Sequence, residues 1–112
     1  MQFSRHGEYI SVARITGAAD NLLQVRISVV EPESIGVEVF PSIGVGTKLL
    51  DKDKVLAAVV DGLRQVNEEL GKSYWISHIR FVANDSKPEA VYSFLTQTLL
   101  RHLDAGNPFV GA

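Results

Sequence analysis

The sequence predicts an α+β fold: a two-layer sandwich with the element order β-β-β-α-β-α, in which a four-stranded sheet carries both helices on one face. Three patterns predict it. Residues 22–30, "LLQVRISVV", set Leu23, Val25, Ile27 and Val29 against Gln24, Arg26 and Ser28. That period-two alternation belongs to a strand with one buried and one wet face. Residues 51–70, "DKDKVLAAVVDGLRQVNEEL", instead repeat Leu56, Val59, Leu63, Val66 and Leu70 every three or four positions, the spacing of an amphipathic helix. A strand-like run and a second helical run follow, so two apolar helix stripes meet one apolar sheet face, and the other sheet face is left uncovered.

Taken in order, "EYISVARIT" at 8–16 is rich in β-branched and aromatic residues and reads as the first strand. "GAADN" supplies turn residues before the second strand. Pro32 ends that strand because proline cannot join a central ladder, and "GVEVF" at 36–40 is a short third strand stopped by Pro41. The three are expected as an antiparallel meander. Asp51 is placed to cap the first helix and Gly71 to stop it. Gly62 inside that helix costs about 1 kcal/mol against alanine, which a close approach of helix to sheet would justify. "SYWISHIRFVA" at 73–83 is the fourth strand. After "NDSKPE", with Ser86 as expected N-cap and Pro88 in the first turn, "PEAVYSFLTQTLLRHL" forms a last helix burying Val91, Phe94, Leu95, Thr98 and Leu99.

The bulk numbers bound the function. The 112 residues read as a single domain, 1–112, with an ordinary 46% hydrophobic and 21% charged content. Eleven Lys and Arg against 13 Asp and Glu give a net charge of −2, which argues against a strongly basic DNA binder. No cysteine is present, removing disulfides, thiolate chemistry and Cys-based zinc sites. "MQFSRHGEYI" lacks the basic-then-apolar pattern of a signal peptide and no apolar run reaches about 18 residues, so a cytoplasmic protein with no membrane contact is expected.

With these elements in hand the chain resembles the fourth domain of translation elongation factor G, a ribosomal protein S5 domain 2-like fold. "RHGEYISVARI" resembles the family's opening into its first strand. "VFPSIGVGTKLLDKDKVLAAVVDGL" resembles its strand, glycine-bearing loop and helix with an internal glycine. "GKSYWISHIRFVANDS" resembles its Gly-Tyr strand and turn, and "GNPFVGA" its closing Asn-Pro-Val segment. The resemblance implies contact with ribosomal RNA through loops at one end, here the opening loop Ser4, Arg5, His6, Gly7 and the turn Asn84, Asp85, Ser86, Lys87. The candidate end-loop residues are Arg5, His6, Asn84 and Lys87. The chain holds none of the family's GTPase domain, so the resemblance implies binding and not translocation.

The side chains themselves suggest no catalysis. A phosphate-binding P-loop needs Gly-Lys-Ser/Thr after four spacer residues, whereas this loop runs Gly44-Val45-Gly46-Thr47-Lys48. A helix N-terminus attracts phosphate through its positive dipole end, but Asp51 and Asp53 already occupy that end. The loop therefore reads as a connector, with no cofactor. The histidines, His6, His78 and His102, stand at no metal-ligand spacing; His102, beside Leu95 and Leu99, reads as a core-edge residue. Asp85, Ser86 and His78 are close in sequence only because one strand end joins them, and Ser86 is expected to cap a helix.

The uncovered sheet face carries more. If Leu23, Val25, Ile27, Ile79 and Phe81 point at the helices, then Arg26, His78 and Arg80 point away, with Arg14 joining them if the first strand's register allows. Arg14, Arg26, His78 and Arg80 are the candidate binding face, since guanidiniums on a sheet bind phosphates and stack on bases. Tyr74 and Val82, expected on the same face, suggest protein contact instead. The sequence thus leaves two readings open: a non-enzymatic domain contacting ribosome or structured RNA, and a protein-interaction or homodimerising module.

Overall fold

The computed structural model describes residues 1–16, 20–41 and 49–111. The glycine loop weighed above, 44–48, lies outside the described residues. Five strands and two helices follow in the order β1 (Gln2–His6), β2 (Tyr9–Ile15), β3 (Asp20–Ser28), β4 (Gly36–Phe40), α1 (Lys52–Leu70), β5 (Trp75–Val82) and α2 (Val91–Asp104). They form one sheet of order β1-β2-β3-β5-β4. The α+β class is as expected, but the sheet has five strands and not four. The added strand is β1, expected as an opening loop. Phe3 is its only large apolar residue, so its alternation is too weak to see, yet a two-residue Gly7–Glu8 turn folds it back onto β2 with His6 opposite Tyr9. Gly7 takes φ 61, the left-handed conformation such turns demand.

The expected meander is also corrected. β1, β2 and β3 run antiparallel in sequence, but "GVEVF" does not pair with β3. It lies at the far edge, parallel to β5, with Val37 opposite Ile79 and Val39 opposite Phe81. The helix between β4 and β5 is the physical reason: a crossover through a helix returns the chain in the same direction, so the strands it joins pair in parallel.

The register sorts the side chains. Ile10 and Val12 of β2, Leu23 and Val25 of β3 and Ile79 and Phe81 of β5 share one face and are buried. Against them pack Val55, Val59, Leu63 and Val66 of α1 and Tyr92, Leu95, Leu99 and Leu100 of α2. Each such side chain contributes about 1.5–3 kcal/mol by leaving water. The stripe of α2 is rotated from the expected one: Phe94 is 51% exposed and Tyr92 fully buried. Val29, expected inside, is 96% exposed because β3 ends at Ser28.

β5 contains a bulge. His78 pairs with Arg26 and Ile76 with Ile27, leaving Ser77 as an extra residue. The extra residue resets the alternation, so Ile76 and Ile79 both reach the core, although they are three apart.

The helix ends follow two rules. Asp51 caps α1, accepting from Asp53 N at 2.9 Å and Lys54 N at 3.3 Å, and Gly71 closes it at φ 64, both as expected. Ser86 does not cap α2. The tight turn before that helix already satisfies its first N–H groups, with Val91 N bonded to Pro88 O and Tyr92 N to Glu89 O. Ser86 is used elsewhere.

Gly62 faces α2 and not the sheet. A Cβ on Gly62 would press into the carbonyl oxygen of Ser93 and lie 3.0 Å from its Cα. The neighbouring Asp61 accepts a hydrogen bond from Ser93 Oγ at 3.0 Å, and Glu69 is held by Arg101 at 2.7 and 2.8 Å further along. Gly62→Ala is therefore expected to destabilise the protein by about 1–3 kcal/mol, the usual cost of overpacking, despite the gain of about 1 kcal/mol in helix propensity. Urea unfolding measures this; a stabilised variant would show that the helices part freely.

Candidate functional site

The uncovered face of the sheet is laid out in rows by the strand register. Tyr9, Arg26, His78 and Gly36 stand side by side across β2, β3, β5 and β4. Ser11, Gln24, Arg80 and Glu38 form the next row. At the far end Ala13 pairs with Leu22, and Phe40 with Val82. The face thus runs from cationic and aromatic at one end to apolar at the other.

Arg26, His78 and Arg80 share this face, as expected, but each is engaged by a neighbour. Arg80 Nε donates to the Glu38 carboxylate, and its guanidinium lies 3.7 Å over the Tyr9 ring with Phe40 at 6.0 Å. A cation over an aromatic face contributes about 0.5–1 kcal/mol at such an exposed site. Arg26, 42% exposed, is 3.0 Å from Glu8 in the β1–β2 turn, a surface pair worth at most about 1 kcal/mol. His78 is fixed at both edges of its ring: Nδ1 is 2.9 Å from Ser77 Oγ, and the ring lies on Gly36, where a Cβ would come within 2.6 Å of its Cδ2. Gly36 is the one residue type that lets the edge strand carry that ring.

Arg14 is not part of the face. It pairs with Asn21 on the helix side, one step out of phase with Ala13. Its NH2 donates to Asn21 Oδ1 at 2.5 Å, and its Nε is buried with no hydrogen-bond partner. Tyr74 is also off the face, since its hydroxyl donates to Asp104 of α2 at 2.8 Å. Val82 is on it, at the apolar end.

The two candidate end loops are separated. Arg5 and His6 belong to β1; His6 leads into the turn at the Tyr9–Arg26 end of the sheet. Asn84 and Lys87 follow β5 at the opposite end, beside Asp20. A hairpin that reverses β1 onto β2 places its turn a full strand length from the end of β5, so the loops form no common tip. Arg5 projects over Phe109, its guanidinium 5.3 Å from the ring centroid, and Lys87 Nζ is 3.9 Å from Glu89.

The turn after β5 is bound into the fold by a polar network that the sequence does not reveal. Asp85 accepts from Leu22 N at 2.8 Å and from the Tyr92 hydroxyl at 3.2 Å. Asn21, buried, donates to Ser86 O at 2.8 Å, and Ser86 Oγ accepts from Asp20 N at 3.1 Å. Burial raises the Asp85 pKa from its ordinary value, with the Asp20 charge adding to it and the bonds from Leu22 N and the Tyr92 hydroxyl opposing it; burial likewise raises the pKa of the Tyr92 hydroxyl and holds it protonated. A hollow of about 530 Å³ opens beside this turn, lined among others by Ala13, Ile15, Leu22 and Val82.

These bonds also disperse the sequence trio Asp85, Ser86 and His78. Each is tied to a different partner, and no hydrogen bond joins them among the described residues. His102 is an edge-of-core residue as expected, stacked flat on Phe3 at 3.7 Å. No group of three His, Cys, Asp or Glu among the described residues could hold a metal, and no helix there is long and apolar enough to cross a membrane.

The residues that complete the face, Glu8, Tyr9, Gly36, Glu38 and Phe40, carry a weak signal in sequence. Glu38 alternates with Val37 and Val39 and so belongs opposite the core, but its meeting with Arg80 depends on the parallel pairing of β4. Comparison with known proteins found no family model and no curated protein that matches the chain.

Asp85 offers a test of the network. Its raised folded pKa means that it contributes most to stability below the unfolded pKa, and that this contribution is lost as pH rises through the folded one. Asp85→Asn, which keeps an acceptor and removes the charge, is expected to be at least as stable as wild type at pH 7, with the advantage shrinking on acidification. Asp85→Ala leaves Leu22 N–H and the Tyr92 hydroxyl without acceptors and is expected to cost about 1–3 kcal/mol. Urea titrations at pH 7 and pH 4 measure both; a wild type that loses stability relative to Asp85→Asn on acidification contradicts the sign.

Proposed function

We propose that this chain is a non-enzymatic binding domain that docks a partner protein on its uncovered sheet face. The observation that supports this most is the pre-paired state of the two arginines, Arg26 with Glu8 and Arg80 with Glu38 and Tyr9. A phosphate-binding surface gains affinity from cations that release counterions, and here each cation would first have to leave a carboxylate. Arginine and tyrosine beside apolar residues, with balanced charge, instead match the composition of protein interfaces. The half-buried Leu22 and Phe40, with the buried Val82 beneath them, supply an apolar end for a partner side chain, and the arginine pairs supply orientation.

The competing reading is contact with ribosome or structured RNA, inherited with the likeness to the fourth domain of elongation factor G. The exposure of Arg26 and its neighbour His78 support it. A DNA partner fits neither the net charge of −2 nor the paired arginines.

Photo-crosslinking separates these readings. A photoreactive amino acid replacing Gln24, at the middle of the face, is expected to capture a protein in the presence of ribonuclease. Tyr9→Ala with Phe40→Ala is expected to lower capture at least about 10-fold, as loss of interface anchors does. Capture of RNA instead, with salt-dependent affinity that falls in Arg26→Ala and Arg80→Ala, would replace the protein reading with the RNA one. A crosslinked homodimer, matched by concentration-dependent sedimentation, would identify the partner as a second copy.

A further inference from the structure

The outer edge of β1 is occupied by the chain itself. After α2 the segment Asn107–Gly111 turns back and runs parallel to β1: Val110 N donates to Phe3 O at 3.0 Å, and Arg5 N donates to Val110 O at 2.8 Å. Ser4 and Val110 form the single bridge between them. A side chain anchors this short pairing. Phe109 stands edge-on to His102, with ring centroids 4.9 Å apart, and edge-on to Phe3 at 6.4 Å. The guanidinium of Arg5 covers the same ring. His102 is held in place by its stack on Phe3 and by its Nε2, 2.8 Å from Pro108 O.

Two further features shape the groove. Gly111 takes φ 111, and a Cβ there would lie 2.7 Å from Arg5 O, so the segment passes the strand closely because it has a glycine. A hollow of about 560 Å³ bounded by Met1, Gln2, Phe3, Pro108 and Val110 continues along the same edge. Phe3 and Arg5 are the β1 residues whose main-chain groups face this edge, and the segment bonds to one group of each, Phe3 O and Arg5 N.

Main-chain bonding to a sheet edge, with one side chain seated in a pocket, is the chemistry of recognition by strand addition. We propose that the β1 edge and the Phe3–His102–Arg5 clamp form a receptor groove for an extended peptide bearing a Pro-aromatic-x-Gly pattern, where x is any residue with a free N–H, with residues 108–111 as its tethered resident ligand. The ligand chemistry is read from the occupant. Proline sets the extended approach, the aromatic ring fills the clamp, the next residue makes the bridge and glycine allows the close pass. Two main-chain hydrogen bonds, the His102 Nε2 contact with Pro108 O and one aromatic anchor hold the segment, few enough bonds to place it at the low-stability end of the fold, where local release precedes global unfolding. Release opens the groove to a segment of another chain.

The test uses the full chain with Phe109→Ala and Val110→Pro, which removes the anchor and the bridging N–H while leaving the buried core residues intact. The probe is a labelled synthetic peptide of residues 106–112. The released variant is expected to bind it, with amide shifts centred on Phe3, Ser4 and Arg5. Wild type, whose tethered segment competes at an effective concentration of about 1 mM, is expected to bind at least about 10-fold more weakly. A peptide with alanine in place of Phe109 or Gly111 is expected to lose binding. Should the double variant lose its native circular dichroism, Val110→Pro alone serves in its place. A folded variant that ignores the peptide, or a wild type that binds it equally well, overturns the proposal.

Discussion

The contact between Gly62 and the backbone of Ser93 sets the dimensions of everything else in this fold. Five strands spaced about 4.8 Å apart make a sheet about 20 Å wide, and two helices packed at the usual 8–10 Å cover about that width. Closest approach at a glycine lets both helices sit over the same face, so Val59 and Val66 of α1 and Leu95 and Leu99 of α2 share one core. With the helical layer complete on one side, the opposite face is left to polar and aromatic side chains. The candidate interface is thus a consequence of how the helices meet.

The sequence makes the covered side of the molecule legible and the uncovered side much less so. Apolar periodicity locates Leu23, Val25, Val59, Val66, Ile79 and Phe81 because burial is a strong, local constraint on residue type. It fails at β1, where a strand with one large apolar residue looks like a loop, and at α2, where Tyr92 and Phe94 stand two apart on different sides of the helix and only tertiary packing tells which is inside. The bulge at Ser77 is invisible for a similar reason: an extra residue leaves no mark in composition, although it decides which of Ile76 and Ser77 is inside. Arg14 shows the limit most clearly. Its face depends on a one-residue register choice, and a one-residue change of register reverses every side chain.

The face itself gains a different character once its neighbours are known. In the sequence, Arg26 and Arg80 are two cations on a wet surface. In the fold, each has a carboxylate contributed by an element distant in sequence or lying across a turn, and Arg80 lies flat on Tyr9. A surface organised in this way exchanges existing pairs for new ones on binding, so its selectivity rests on geometry more than on net charge. His78, seated on Gly36 and joined to Ser77, adds a fixed polar edge at the middle of the same row.

The strand order β1-β2-β3-β5-β4 also governs when the fold can form. As the chain leaves the ribosome, β1, β2 and β3 can pair with one another at once because few residues separate them in sequence. β4 cannot, because its only neighbour in the sheet is β5, which emerges after the whole of α1. Until then "GVEVF" is a β-prone segment with no place to pair, a hazard for association between nascent chains. Its shortness, the charge of Glu38 and the prolines at 32 and 41 are the features that keep such a strand from joining the wrong sheet. The arrival of β5 therefore supplies the strand that joins β3 to β4 and retires that hazard in a single step, and residue 110 then closes the opposite edge.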